Sequence, residues 1–150
     1  YIYLFIMLFS FSACANPKRE ANTPPGGHGK AQGEVCAYKL KEVGLCATVV
    51  WENVPSTKES SSMYLIFQKL DTDYAPLAKL ENTLKVYLWM PDMGHGSRET
   101  TITEVGAGIY QIKRMEFVMP GAWEVRVELL GKDQNNKDFI RDQFKVNLKL

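Results

Sequence analysis

The stretch Trp123-Glu124-Val125-Arg126-Val127-Glu128-Leu129 alternates large apolar and charged side chains residue by residue. Successive side chains of a β-strand point to opposite faces, so this period of two turns one face to a core and the other to water. A helix would scatter the same residues around its axis. Leu84, Val86, Leu88 and Met90 alternate in the same way with Lys85, Tyr87 and Trp89 until Pro91 stops the run. Phe144, Val146, Leu148 and Leu150 share one face of the last segment, residues 138–150. Residues 63–70 (MYLIFQKL) read as a further strand, followed by the turn-prone Asp71-Thr72-Asp73.

Two hairpins are expected. Lys41-Glu42-Val43-Gly44 breaks the apolar residues of 35–51 into two runs, and Gly106-Ala107-Gly108 separates residues 100–105 from 109–117. No amphipathic helix stands out, and Pro76 limits any helical turn within residues 73–82. Seven to eight short strands without strand–helix alternation predict an all-β chain. The expected architecture is an immunoglobulin-like antiparallel β-sandwich over residues 34–150, with a closed barrel as the alternative. One irregularity stands inside this pattern. Tyr110 and Ile112 are apolar at even positions, whereas Met115, Phe117 and Met119 are apolar at odd ones. A β-bulge at Lys113-Arg114 would account for the change of parity.

The N-terminal part of the chain has a different character. Residues 1–11 (YIYLFIMLFSF) form an uncharged apolar run about half as long as a membrane-crossing helix requires. The run fits the apolar region of a secretory signal, here without a basic leader, and Ser12-Ala13-Cys14 follows it. Small residues before a cysteine resemble the lipobox of bacterial lipoproteins, in which the thiol is lipidated and becomes the new N-terminus, although Phe11 stands where Leu is usual. Residues 1–14 are therefore expected to be a truncated signal peptide ending in a lipidated Cys14, the alternatives being an ordinary cleaved signal with a chance cysteine or a truncated membrane anchor. Residues 15–33 hold three prolines, four glycines and no apolar side chain larger than alanine, the composition of a disordered tether with a reach of roughly 20–25 Å. His28 lies in that tether between glycines and reads as linker. The expected address is the periplasmic face of a membrane in the cell envelope, the outer membrane being favoured because Ala15, not Asp, follows the cysteine.

With Cys14 assigned to lipid, Cys36 and Cys46 remain as an even pair in an oxidising compartment, and a disulfide is the expected state. Free thiols available for metal or redox chemistry are the alternative. A loop at Glu42-Val43-Gly44 would set Cys46 opposite Leu40, whereas a longer turn around Lys41 would set it opposite Cys36.

The segment most open to chemistry is Trp89-Met90-Pro91-Asp92-Met93-Gly94-His95-Gly96. Two thioethers and an imidazole fall within six residues, at the end of a strand and in a glycine-loosened loop. Thioether sulfur is soft and suits Cu(I), and imidazole serves Cu(I) or Cu(II). The candidate metal ligands are Met93 and His95, supported by Met90 and by Met119 if the later turn reaches the same end of the fold. Methionine also fills cores, and Met90 and Met115 continue the apolar parity of their strands, so packing competes with ligation there. Met93 and His95, in a polar, glycine-rich loop, are harder to explain by packing; the alternatives to a metal there are loop structure or contact with another partner.

A formal net charge of +1, with Lys and Arg scattered among Asp and Glu, gives no footprint for nucleic acid. Beyond the tether His95 is the only histidine, and neither a Gly-x-Ser-x-Gly elbow nor a Gly-rich phosphate loop occurs, so an enzyme is not expected. Asp92 and His95 make at most a lone dyad.

Met90 to Gly96 (Met-Pro-x-Met-Gly-His-Gly), a glycine before Tyr110, and Met119-Pro120-Gly121-x-Trp123 followed by alternating apolar residues together resemble the FixH and YtkA-like family of envelope proteins. The resemblance covers about the last two-fifths of the chain, with residues 43–51 compatible. It implies a β-sandwich outside the cytoplasmic membrane and an association with copper handling or with assembly of copper-containing respiratory oxidases, and hence a protein partner in one of these. FixH proteins are typically anchored by a transmembrane helix, whereas this chain is expected to use a lipid.

Overall fold

The computed structural model describes residues 36–70, 72 and 75–150. Cys14 and the expected signal and tether lie outside them. Among the described residues there is no helix, and nine strands form two antiparallel sheets. The first sheet contains β1 (Tyr38–Leu40), β2 (Leu45–Trp51), β3 (Ser61–Lys69), β6 (Thr101–Gly106) and β7 (Ile109–Met115), in the order β1-β2-β3-β7-β6. The second contains β4 (Thr83–Met90), β5 (His95–Gly96), β8 (Ala122–Lys132) and β9 (Asp138–Lys149), in the order β5-β4-β8-β9. The expected sandwich is thus present, one strand richer than the sequence pattern indicated. The extra element is β5, two residues long and too short to show any periodicity.

The core follows from the alternation. Met63, Leu65 and Phe67 of β3, Val86, Leu88 and Met90 of β4, and Trp123, Val125, Val127 and Leu129 of β8 turn inward and are buried together. Edge-to-face ring pairs fix two places in it. Phe117 meets Trp123 at 5.6 Å between centroids, and Phe67 meets Tyr110 at 5.8 Å. Where β1 and β9 close one open side, Tyr38 stacks on Phe144 at 4.3 Å. The change of parity in β7 is a bulge. Met115 pairs with Ser61 and Ile112 with Met63, so Lys113 and Arg114 together oppose Ser62, and Arg114 takes a φ of 59°. That extra residue returns Met115 to the core side, where it is fully buried.

Residues 75–82 hold no helical turn; Leu77 instead forms an isolated bridge to Gln68. The tip of the β6–β7 hairpin fits beneath this segment. Gly108, at φ +75°, accepts a hydrogen bond on its carbonyl from Phe67 N–H (2.8 Å), and a Cβ there would stand 2.7 Å from Ala78 O and 2.9 Å from Phe67 O. Cys36 and Cys46 form a disulfide with a Cα separation of 5.1 Å. Neither register considered from the sequence is adopted, because Cys46 pairs with Lys39 in the ladder. Cys36 reaches it from outside β1 by taking a φ of 60°, and its N–H is held by Thr48 Oγ1 at 3.2 Å.

Candidate functional site

β4 ends at Met90 because Pro91 cannot continue the ladder, and the chain reverses through Pro91–Gly94. Met93 N–H and Gly94 N–H both donate to Met90 O, at 3.2 and 3.0 Å, closing the turn. His95 then lies directly opposite Met90 in the short β4–β5 ladder. Residues opposite one another in an antiparallel pair share a face, with Cβ atoms about 5 Å apart. Met90 and His95 therefore leave the same face of the ladder at the rim of the core. Met90 is only 5% exposed, whereas Met93, at the tip of the turn, is 58% exposed. His95 is half-buried. Its Nδ1 lies 3.1 Å from Gly96 O, and since a carbonyl only accepts, Nδ1 carries the proton in that contact and Nε2 is left as the nitrogen able to bind a metal in the neutral ring.

The turn before β8 comes to the same place. Trp89 pairs with Glu124, so Met119–Gly121 lies beside the end of β4. Gly121, at φ +144°, leaves a gap that the end of Met90 fills, and a Cβ there would collide with Met90 Cε. Gly121 also exchanges hydrogen bonds with Leu150 (2.8 and 3.0 Å), which ties the turn to the end of β9. Trp123 Nε1–H donates to Met119 O at 2.9 Å, holding the backbone of Met119 against the core while its side chain is partly buried. Met90, Met93, His95 and Met119 thus all belong to one end of the sandwich. Met63 and Met115, fully buried, lie at the same end, so every methionine of the described residues is found there.

The donor set is neutral and soft. Among the described residues, no group of three His, Cys, Asp or Glu side chains is placed to hold a metal ion. Thioether sulfur and imidazole are donor types that suit Cu(I), and the absence of a side chain at Gly121 leaves room for the end of Met90.

Two partners of the site were not identified from the sequence. Neither Gly121 nor Trp123 offers a metal-ligating side chain, yet one makes room for Met90 and the other holds the backbone of Met119. Their signal is the Met-Pro-Gly-x-Trp run itself, in which a buried indole needs an acceptor for its N–H. On the outer face of β4 and β8, beside Trp89, Glu124 accepts from Arg126 (2.7 Å) and Lys145 (3.2 Å), and the Arg126 guanidinium lies 4.9 Å from the Trp89 ring centre. Burial of Glu124 works to raise its pKa, but the hydrogen bonds from Arg126 and Lys145 outweigh it and hold the carboxyl below its ordinary range.

A sandwich of two antiparallel sheets with a methionine-rich rim is the class of domain that these observations define. The model of the YtkA-like family matches residues 46–128, more than half of the chain and from β2 through most of β8. The chain belongs to the YtkA-like family. The match reaches back to Cys46, well before the Met90–Gly96 motif. No curated protein matches the chain.

Proposed function

We propose that this domain is a copper-binding or copper-delivery module of the cell envelope, taking Cu(I) through Met93 and His95 with Met90 and Met119 as supporting ligands. The observation that carries this reading is the convergence of two turns, in which Met90 faces His95 across a ladder and fills the gap at Gly121, two residues beyond Met119. Soft thioether sulfur favours Cu(I), and neither donor type has to lose a proton-borne charge to bind in the neutral state. Exposed Met93 would make first contact with the ion, and His95 Nε2 would add a nitrogen donor. A lipid on Cys14 would hold the module at the periplasmic face of a membrane, the outer membrane being favoured. A protein that gives or receives copper, in copper handling or in assembly of a respiratory oxidase, would be its partner. No catalytic step is part of this reading.

A second reading, a non-enzymatic envelope interaction module without metal, draws on a different observation. Val54, Met93 and Val118 are exposed on three loops of this same end. Titration of Cu(I) against a competing chelator separates the two. Met93→Leu and His95→Ala are each expected to weaken binding about tenfold or more, as loss of a ligand or its support does at metal sites. Curves identical to wild type, from variants that unfold at the same urea concentration, would favour the second reading.

A further inference from the structure

The five methionines at this end differ sharply in access to solvent. Met63 and Met115 are fully buried, Met90 is 5% exposed and Met119 is partly covered, whereas Met93 is 58% exposed at a turn tip whose neighbours Pro91, Asp92 and Gly94 are also exposed. A thioether reacts with peroxide at its sulfur lone pair, so access decides which methionine is oxidised first. We propose that Met93 is a sulfoxidation site and that its oxidation releases Cu(I), an inference that rests on the copper reading above. The sulfur attacks one oxygen of hydrogen peroxide, the O–O bond breaks as the S–O bond forms, and the departing hydroxide takes the proton from the oxygen now bound to sulfur, leaving the sulfoxide and water. Sulfur is oxidised by two electrons and the peroxide is reduced.

The placement separates two consequences that oxidation usually combines. A sulfoxide on Met63 or Met115 would put a polar oxygen into the apolar core and disturb it. On Met93 it meets water, and the fold is kept. What is lost is the soft donor, because the sulfoxide offers Cu(I) a hard oxygen in its place. The main-chain bonds of Met93 N–H and Gly94 N–H to Met90 O do not involve the sulfur, so the turn itself survives the modification.

The test uses the full chain, free of copper, given limiting hydrogen peroxide and sampled in time by peptide mass spectrometry. Met93 is expected to gain an oxygen about tenfold faster than Met119, and faster still than Met63, Met90 and Met115, as its exposure dictates. Cu(I) affinity is expected to fall in step with Met93 oxidation to the level of Met93→Leu, with circular dichroism unchanged, while peroxide leaves the affinity of Met93→Leu itself unaltered. If a buried methionine is oxidised as fast, or if complete oxidation of Met93 leaves Cu(I) affinity intact, the inference is overturned alone. If the untreated wild type takes up no Cu(I), the proposed function fails and the release step fails with it.

Discussion

At one end of the sandwich, the turns after β4 and before β8 gather methionines, a histidine and three glycines; at the other, the β1–β2 turn and the residues before β4 surround a cavity of about 360 Å³ lined by Glu42, Lys69, Lys79, Glu81 and Arg141. Both ends close the same two sheets. The first offers polarizable neutral donors beside a buried core, the second offers charges of both signs open to water. The contrast shows how one scaffold sorts chemistry. Among the described residues the thioethers and the imidazole lie at the first end, whereas at the second Lys79 pairs with Glu104 at 3.7 Å.

That contrast makes predictions that separate stability from binding. The largest stability effect is expected at the end remote from the methionines. Gly108→Ala forces a side chain into positive φ and puts its Cβ under 3 Å from Ala78 and Phe67 backbone atoms, so urea unfolding should show a loss of about 2 kcal/mol or more. Cu(I) affinity of the folded variant should be unchanged. A fall in affinity would mean that the two ends are coupled.

Trp123→Phe tests the other end. It keeps an aromatic ring against Phe117 but deletes the bond from Nε1 to Met119 O, at an expected cost of about 1–2 kcal/mol from the buried carbonyl left without its donor plus lost volume. Here Cu(I) binding should weaken along with stability, because Met119 loses its tether. Unchanged affinity would remove Met119 from the ligand set.

The smallest effect concerns pH. Glu124 has its folded pKa held below its ordinary value near 4.5, so its ion pairs add stability above that value and lose it as pH falls through the lower, folded pKa. Glu124→Gln should therefore reduce stability at neutral pH slightly and flatten the acid limb of a urea-midpoint against pH profile. An unchanged acid limb would show that Arg126 and Lys145 do not act on this carboxylate.

Much of the fold was legible because period two is a local signal. Both expected hairpins form at Lys41–Gly44 and Gly106–Gly108, and the parity change at Lys113-Arg114 is a bulge because an odd residue has to be absorbed before Met115 can face inward. The Met90–Gly96 motif was legible for the same reason, being contiguous. What lay beyond the sequence was juxtaposition. Nothing local pairs Met90 with Gly121, since their contact depends on β4 and β8 meeting in register. The charged cavity likewise draws Glu42, Lys69 and Arg141 from three distant segments. The cysteine pair shows a third limit, because the bond forms through a positive-φ residue outside the strand that no ladder register describes.

The most direct measurement of the central claim is X-ray absorption at the copper edge of the full chain loaded with one equivalent of Cu(I). The account predicts a shell of sulfur scatterers together with nitrogen from imidazole, with sulfur reduced in Met93→Leu and the imidazole signature lost in His95→Ala. A copper environment of oxygen and nitrogen alone, or one identical in wild type and both variants, would contradict it.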